Sequence, residues 1–181
     1  MKIVRKAIFS LLILGFGLLL LAPFNTTSAI GPTFYEYKLG VDPVDGPVVA
    51  MDFHGDRIEL TGAGTFSLNP HTVTGGGDIV HKDKDGNIIN TGTWTATRMW
   101  RYQSWGTSPD LPSTFEGGRA LIGVHLRSTD GSIETDGLLW VTCLIGNVPA
   151  GSEEGVTLLV PRFGLYFNTE VSGETLFIRM P

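Results

Sequence analysis

The fold turns on how "HKDKDGNIINTGTWTATRMWRYQSW", residues 81–105, is read. Its opening sets Asp83 and Asp85 at alternate positions ahead of Gly86, as a calcium loop does. Such a loop takes oxygen ligands at its first, third and fifth positions, Gly at the sixth and a bidentate Glu at the twelfth, between two helices. Counted from His81, the first position is a histidine, the twelfth is Gly92, and both flanks alternate as strands. Lys82 and Lys84 further oppose a cation. Asp85-Gly86 between two β-runs is the signal of a type I′ hairpin. The segment therefore predicts a strand, a tight turn and a long second strand.

On that second strand, strict alternation puts Trp94, Ala96, Arg98, Trp100 and Tyr102 on one face, and Thr93, Thr95, Thr97, Met99, Arg101 and Gln103 on the other. The first face is aromatic and must be covered. Arg98 is the anomaly, because a guanidinium between two tryptophans is costly unless it pairs with a carboxylate or stacks on a ring. In "RALIGVHLR", Ala120, Ile122, Val124 and Leu126 make a core face, and Arg119, Leu121, Gly123, His125 and Arg127 make the other.

The remaining sequence has the same character. The chain holds 24 glycines with many Thr, Val and Ile, and no stretch of helical period stands out. About ten short strands are punctuated by turn pairs such as Asp130-Gly131, Asp136-Gly137 and Ser172-Gly173. The expectation is an all-β, single-domain antiparallel β-barrel of eight or more strands over residues 30–181, with a β-sandwich as the alternative. "TGAGTFSL" and "TGGGDIV" read as bulges or sharp strand bends, since no helix pattern follows to make either a phosphate cradle.

The N-terminus sets the address. Lys2, Arg5 and Lys6 precede an apolar run from Ala7 to Leu21, and Thr27-Ser28-Ala29 supplies the small residues a signal peptidase needs. Residues 1–29 are read as a secretory signal cleaved after Ala29, with an uncleaved anchor as the alternative. The protein is expected to be secreted or extracytoplasmic, without a membrane span after cleavage. Beyond the signal, 10 basic residues face 18 acidic ones, a net charge of −8. Such a surface repels nucleic acid and anionic lipid, which excludes both as partners. The single cysteine, Cys143, lies in "LLWVTCLIG" and reads as a buried, inert thiol.

No catalytic, metal or cofactor motif is complete. There is no G-x-S-x-G, and His54, His71, His81 and His125 are dispersed without H-x-H or H-E-x-x-H spacing. The irregular stretch from Gly106 to Gly118 has the length of a lid or binding loop, and Glu116 near its end is expected to pair with Arg119. Glu153 and Glu154 read as solvated.

The succession "GTFSLNPHTVTGGGDIVHKDKDGNIINTGTWTATR", "FEGGRALIGVHL", "VTCLIGNVPAGSEEGVTL" and "FNTEVSGETLFI" resembles a family of small secreted microbial β-proteins. That likeness runs from about Gly64 to Ile178 and implies no activity. More remotely, the G-x-G-x-F element followed by a Gly-rich strand and a hairpin is similar to allene oxide cyclase and dirigent-type β-barrels. This second resemblance implies an eight-stranded barrel around a hydrophobic cavity, with no catalytic residue carried over. The G-x-W of Gly92-Thr93-Trp94 falls mid-chain, unlike its first-strand place in lipocalins and avidins.

The functional expectation is a non-catalytic binding protein for a small apolar or aromatic ligand, without a cofactor. Its binding residues would be Trp94, Arg98, Trp100 and Tyr102, with His125. Two alternatives stand beside it. One is a cyclase- or isomerase-like barrel enzyme using Arg98 with Glu116 or Glu59. The other is a cell-envelope interaction protein that presents Trp105 or a sheet edge.

Overall fold

A computed structural model of the chain describes residues 32–181, so the signal read over residues 1–29 lies outside the described residues. The strands in chain order are β1 (Phe34–Leu39), β2 (Val48–Met51), β3 (Arg57–Leu68), β4 (His71–Lys82), β5 (Ile88–Gly106) and β6 (Phe115–Ser128). They continue as β7 (Glu134–Cys143), β8 (Gly155–Val160), β9 (Leu165–Phe167), β10 (Thr169–Ser172) and β11 (Thr175–Arg179). All eleven belong to one antiparallel sheet. Among the described residues the one helical element is a 3₁₀ turn at Pro161–Phe163, and no helix is long and apolar enough to cross a membrane.

The quoted segment folds as the hairpin β4–β5, with a turn longer than the two residues expected. Gly86, at φ +89°, donates its N–H to the Asp83 carbonyl at 3.0 Å, and the Asp83 N–H reaches the Asn87 carbonyl at 2.9 Å. Asp83 spends its carboxylate inside the turn, accepting the N–H groups of Asp85 and Asn87 at 2.9 and 2.8 Å. The β2–β3 turn is built in the same way: Asp52 Oδ1 accepts from the N–H groups of His54 and Asp56, and Gly55 donates to the Asp52 carbonyl. The Lys84 N–H donates to Asp56 Oδ1 at 3.1 Å, which holds the two turns side by side.

Two long strands fork. On one edge β3 pairs with β4 throughout. On the other its first half pairs with β2 and its second half with β1. Likewise β6 pairs with β5 along one edge, and with β11 and then β7 along the other. The pairings β3–β1–β11–β6–β5–β4 make a partial ring, joined between β11 and β6 at Phe177–Glu116 and Ile178–Phe115. The other arms, β2–β10 and β7–β8–β9, leave the forks, and β2 and β10 come to lie against β8.

The centre is filled by aromatic rings. Phe66 stacks on Tyr35 at 5.0 Å between centroids, and Tyr102 lies 4.8 Å from Tyr35 and 5.0 Å from Phe66. Phe177 closes on Phe66 and Tyr102 edge-on at 5.9 and 5.1 Å. Glycines make the room. Gly62, Gly64, Gly75 and Gly77 face one another across β3 and β4, where a Cβ on Gly64 would lie 2.5 Å from the Tyr37 hydroxyl and one on Gly62 2.7 Å from the Trp94 ring. The two rings use that closeness to reach backbone oxygens, Tyr37 donating to Thr74 O at 2.9 Å and Trp94 to Thr61 O at 3.0 Å. The expected bends are therefore seats for aromatic rings. The whole of "RIELTGAGTFSL" forms one continuous strand, β3.

Three further expectations need correction. Glu116 does not pair with Arg119, because residues three apart on a strand point to opposite faces; Glu116 is buried and accepts the Tyr35 hydroxyl at 3.1 Å, while Arg119 is exposed. Glu154 is not a solvated group: it accepts the N–H groups of Leu144 and Thr175 at 2.6 and 2.9 Å, and burial raises its pKa. Trp105 is buried, since a register shift between Ser104 and Gly106 turns it inward.

Candidate functional site

The row of residues read from β5 does not survive as a single face. Register shifts between Ala96 and Arg98 and between Met99 and Arg101 each insert a residue against β6, so the alternation changes phase twice. Trp94, Ala96, Met99 and Tyr102 point inward, while Arg98 and Trp100 point out. The Arg98 guanidinium lies 3.9 Å over the Trp100 ring, so the two stack on each other on the outer surface. Gly123 on β6 lies beneath them: a Cβ there would meet Trp100 Nε1 at 3.2 Å. Trp94 and Tyr102 belong to the filled aromatic centre.

His125 stands elsewhere on the outer face. Its Nδ1 meets Asp136 at 2.9 Å and its Nε2 meets Glu134 at 3.0 Å. Hydrogen bonding to those two carboxylates, Asp136 first, raises its pKa above the ordinary value. The five residues expected to bind ligand thus fall in three places. Cys143 is buried as read, its thiol pushed up to about 12 by desolvation. Of the polar groups in the enzyme alternative, Glu59 pairs with Lys82. Arg98 and Glu116 lie one outside the sheet and the other inside it.

An apolar cavity of about 110 Å³ lies at the other end of the same strands, near the paired turns. Its cause is local. Inward-facing Ile79 and His81 on β4 are matched across the ladder by Gly92 and Asn90 on β5, and Gly92 is matched in turn by Ser128 on β6. Gly92 cannot be replaced by a bulkier residue, because a Cβ would lie 2.2 Å from the Arg127 carbonyl oxygen. Ile58, Leu126, Leu158, Val160 and Phe167 complete the wall, and the exposed Ile133 and Phe163 mark the mouth.

His81 is one of the polar residues in that wall, with Asn90, Thr91, Ser128 and Thr135. Its ring meets Phe167 edge-on at 5.3 Å. Its Nε2 is buried without a hydrogen-bond partner among the described residues, the nearest carboxylate being Asp56 at 4.0 Å. Desolvation lowers its pKa, outweighing the opposing pull of Asp56 and Asp52, and so favours the neutral ring. The sequence held a signal for this site, because Ile79 and His81 share a face in "GGDIVHK". That signal is weak, because His81 is one of four dispersed histidines and also opens the segment that resembles a calcium loop.

Comparison with protein-family models, with curated proteins and with solved structures returns no match.

Proposed function

We propose that the chain is an exported antiparallel β-barrel that binds a small apolar or aromatic ligand without acting on it chemically. The ligand sits in the cavity around Ile79, His81 and Phe167 and not among Trp94, Arg98, Trp100 and Tyr102. The observation that carries this reading is the cavity itself: largely apolar walls, a few polar side chains among them, and a floor kept open by Gly92. For scale, an apolar cavity of about 150 Å³ takes up benzene. The ligand portion inside is therefore the size of one ring or the end of an alkyl chain. Barrel closure is supported by the partial ring of strands and by the approach of β2 and β10 to β8. Export is supported by the basic, apolar and small-residue order of residues 1–29.

The interaction reading keeps one observation in its favour. Phe53, Ile88 and Ile89 are 82%, 63% and 53% exposed, and they flank the same pair of turns. These residues would serve a ligand carrier at its point of delivery as well as a permanent partner.

Native mass spectrometry of the protein purified from its own host tests the proposal. The intact mass should exceed the denatured mass by a small apolar molecule, and Ile79→Phe, which fills the cavity, should remove the excess while the protein stays folded. A bare mass for the wild type would sink the binding reading.

A further inference from the structure

Five side-chain polar atoms are buried without partners among the described residues, and the residues that carry three of them, Thr142 Oγ1, Thr157 Oγ1 and Glu170 Oε2, line one cavity. Thr142 and Thr157 are 3% and 6% exposed. Buried hydroxyls without partners are costly, so their convergence on one space is the mark of a site that supplies partners. The cavity measures about 370 Å³, within the roughly 300–1,000 Å³ of small-molecule sites, and is separate from the apolar one. It lies on the side of β6, β7 and β8 that faces away from the core. There the register sets Arg119 beside Thr142, and Trp140 beside Leu121 and Thr157. Glu170 and Asn168 reach it from the β9–β10 segment, and Ser152 and Glu153 from the loop before β8.

Arg119 also lines a second cavity of about 230 Å³, whose other walls include Arg101, Gln103 and Trp140. One surface therefore carries hydroxyls, two carboxylates, two amides, arginines and one large aromatic ring. We propose that this face binds a saccharide. A sugar ring needs partners that both donate and accept, as the hydroxyls of Thr142 and Thr157 do. Carboxylates such as Glu170 and Glu153 accept from neighbouring sugar hydroxyls, Arg119 and Asn168 donate to sugar oxygens, and the Trp140 ring offers an apolar plane to the C–H face. A zwitterionic amino acid would use Glu170 and Arg119 but leave the two threonine hydroxyls unanswered. A metal ion is not the occupant these residues suit, since no grouping of three ligating side chains occurs among the described residues.

Glu170 also provides a control on folding. Desolvation, aided by Glu153 and Glu154 and opposed by Arg119, pushes its carboxyl up to about 7. The folded state then holds a proton that the unfolded chain releases, so stability falls as the pH rises from about 4.5 to about 7. Glu170→Gln should therefore melt higher than wild type at pH 8 and equal to it near pH 4.

The test is calorimetric titration of the intact protein at pH 7.5 with glucose, galactose, mannose and N-acetylglucosamine. One of them should bind in the millimolar range or tighter. Thr157→Val, which keeps shape but removes a hydroxyl, should weaken it by about tenfold without lowering the melting temperature, and Trp140→Ala should weaken it as well. If Thr157→Val does not fold, Glu170→Gln takes its place, with folding checked by the melting difference above. No heat with any of the four sugars, or binding that both variants leave intact, would overturn the proposal. Binding of free glycine in place of every sugar would overturn it too.

Discussion

Replacing Phe66 with alanine lowers the stability of this fold by about 3–5 kcal/mol, the range for truncating a fully buried aromatic ring. Phe66 is 1% exposed and touches rings carried by three other strands: Tyr35 on β1, Tyr102 on β5 and Phe177 on β11. It is therefore the point where the walls of the partial ring meet, and the rings around it are too large and too constrained to collapse into the gap. A thermal melt should fall by roughly 10 °C or more for a domain of this size. A loss below about 1 kcal/mol would show that the centre is not packed, and would return the space beside Trp94 and Tyr102 to consideration as a ligand site.

The second large effect belongs to glycines. A Cβ on Gly77 would lie 1.8 Å from Thr61 O, and one on Gly64 2.1 Å from Thr74 O. Both obstacles are backbone carbonyls held in the β3–β4 ladder, so no rotamer change relieves them. Forcing the two strands apart would also pull Thr61 O and Thr74 O from the Trp94 and Tyr37 side chains that donate to them. Gly64→Ala and Gly77→Ala should each cost about 3 kcal/mol or more, or give no soluble protein. Gly86→Ala is the comparison. Nothing lies within 4 Å of its would-be Cβ, so it pays only for a left-handed backbone, about 1–2 kcal/mol. Equilibrium urea melts of the three variants should keep that order. Equal losses would mean that β3 and β4 can part without harm.

The all-β character and most strand positions were legible because period-2 patterning and Asp-Gly turns are local signals. The core row of β6 came out as read: Ala120, Ile122, Val124 and Leu126 are all buried. What failed was alternation carried too far along a single strand. β5 runs for 19 residues, and its register shifts reverse which side chains face inward. A bulge is settled by the partner strand, and nothing near Arg98 announces one. The forks of β3 and β6 were hidden for the same reason, since a strand's sequence does not say where its edge changes partner. The cavity was hidden because it arises from what three strands place opposite one another, Ile79, Gly92 and Ser128, and no one of them is unusual alone. The polar face around Glu170 was invisible in another way. Thr142 and Thr157 lie in otherwise apolar strands, and the polar residues around them come from separate segments.

The most direct test of the binding account is to titrate benzene into the protein and follow the methyl resonances of its Ile, Leu and Val side chains by NMR. Saturable shifts confined to the cavity residues Ile58, Ile79, Leu126, Ile133, Leu158, Val160 and Leu165, and abolished by Ile79→Phe in a folded protein, are the predicted result. Shifts centred on Ile122, Val124 and Val141, or none that saturate, would contradict it.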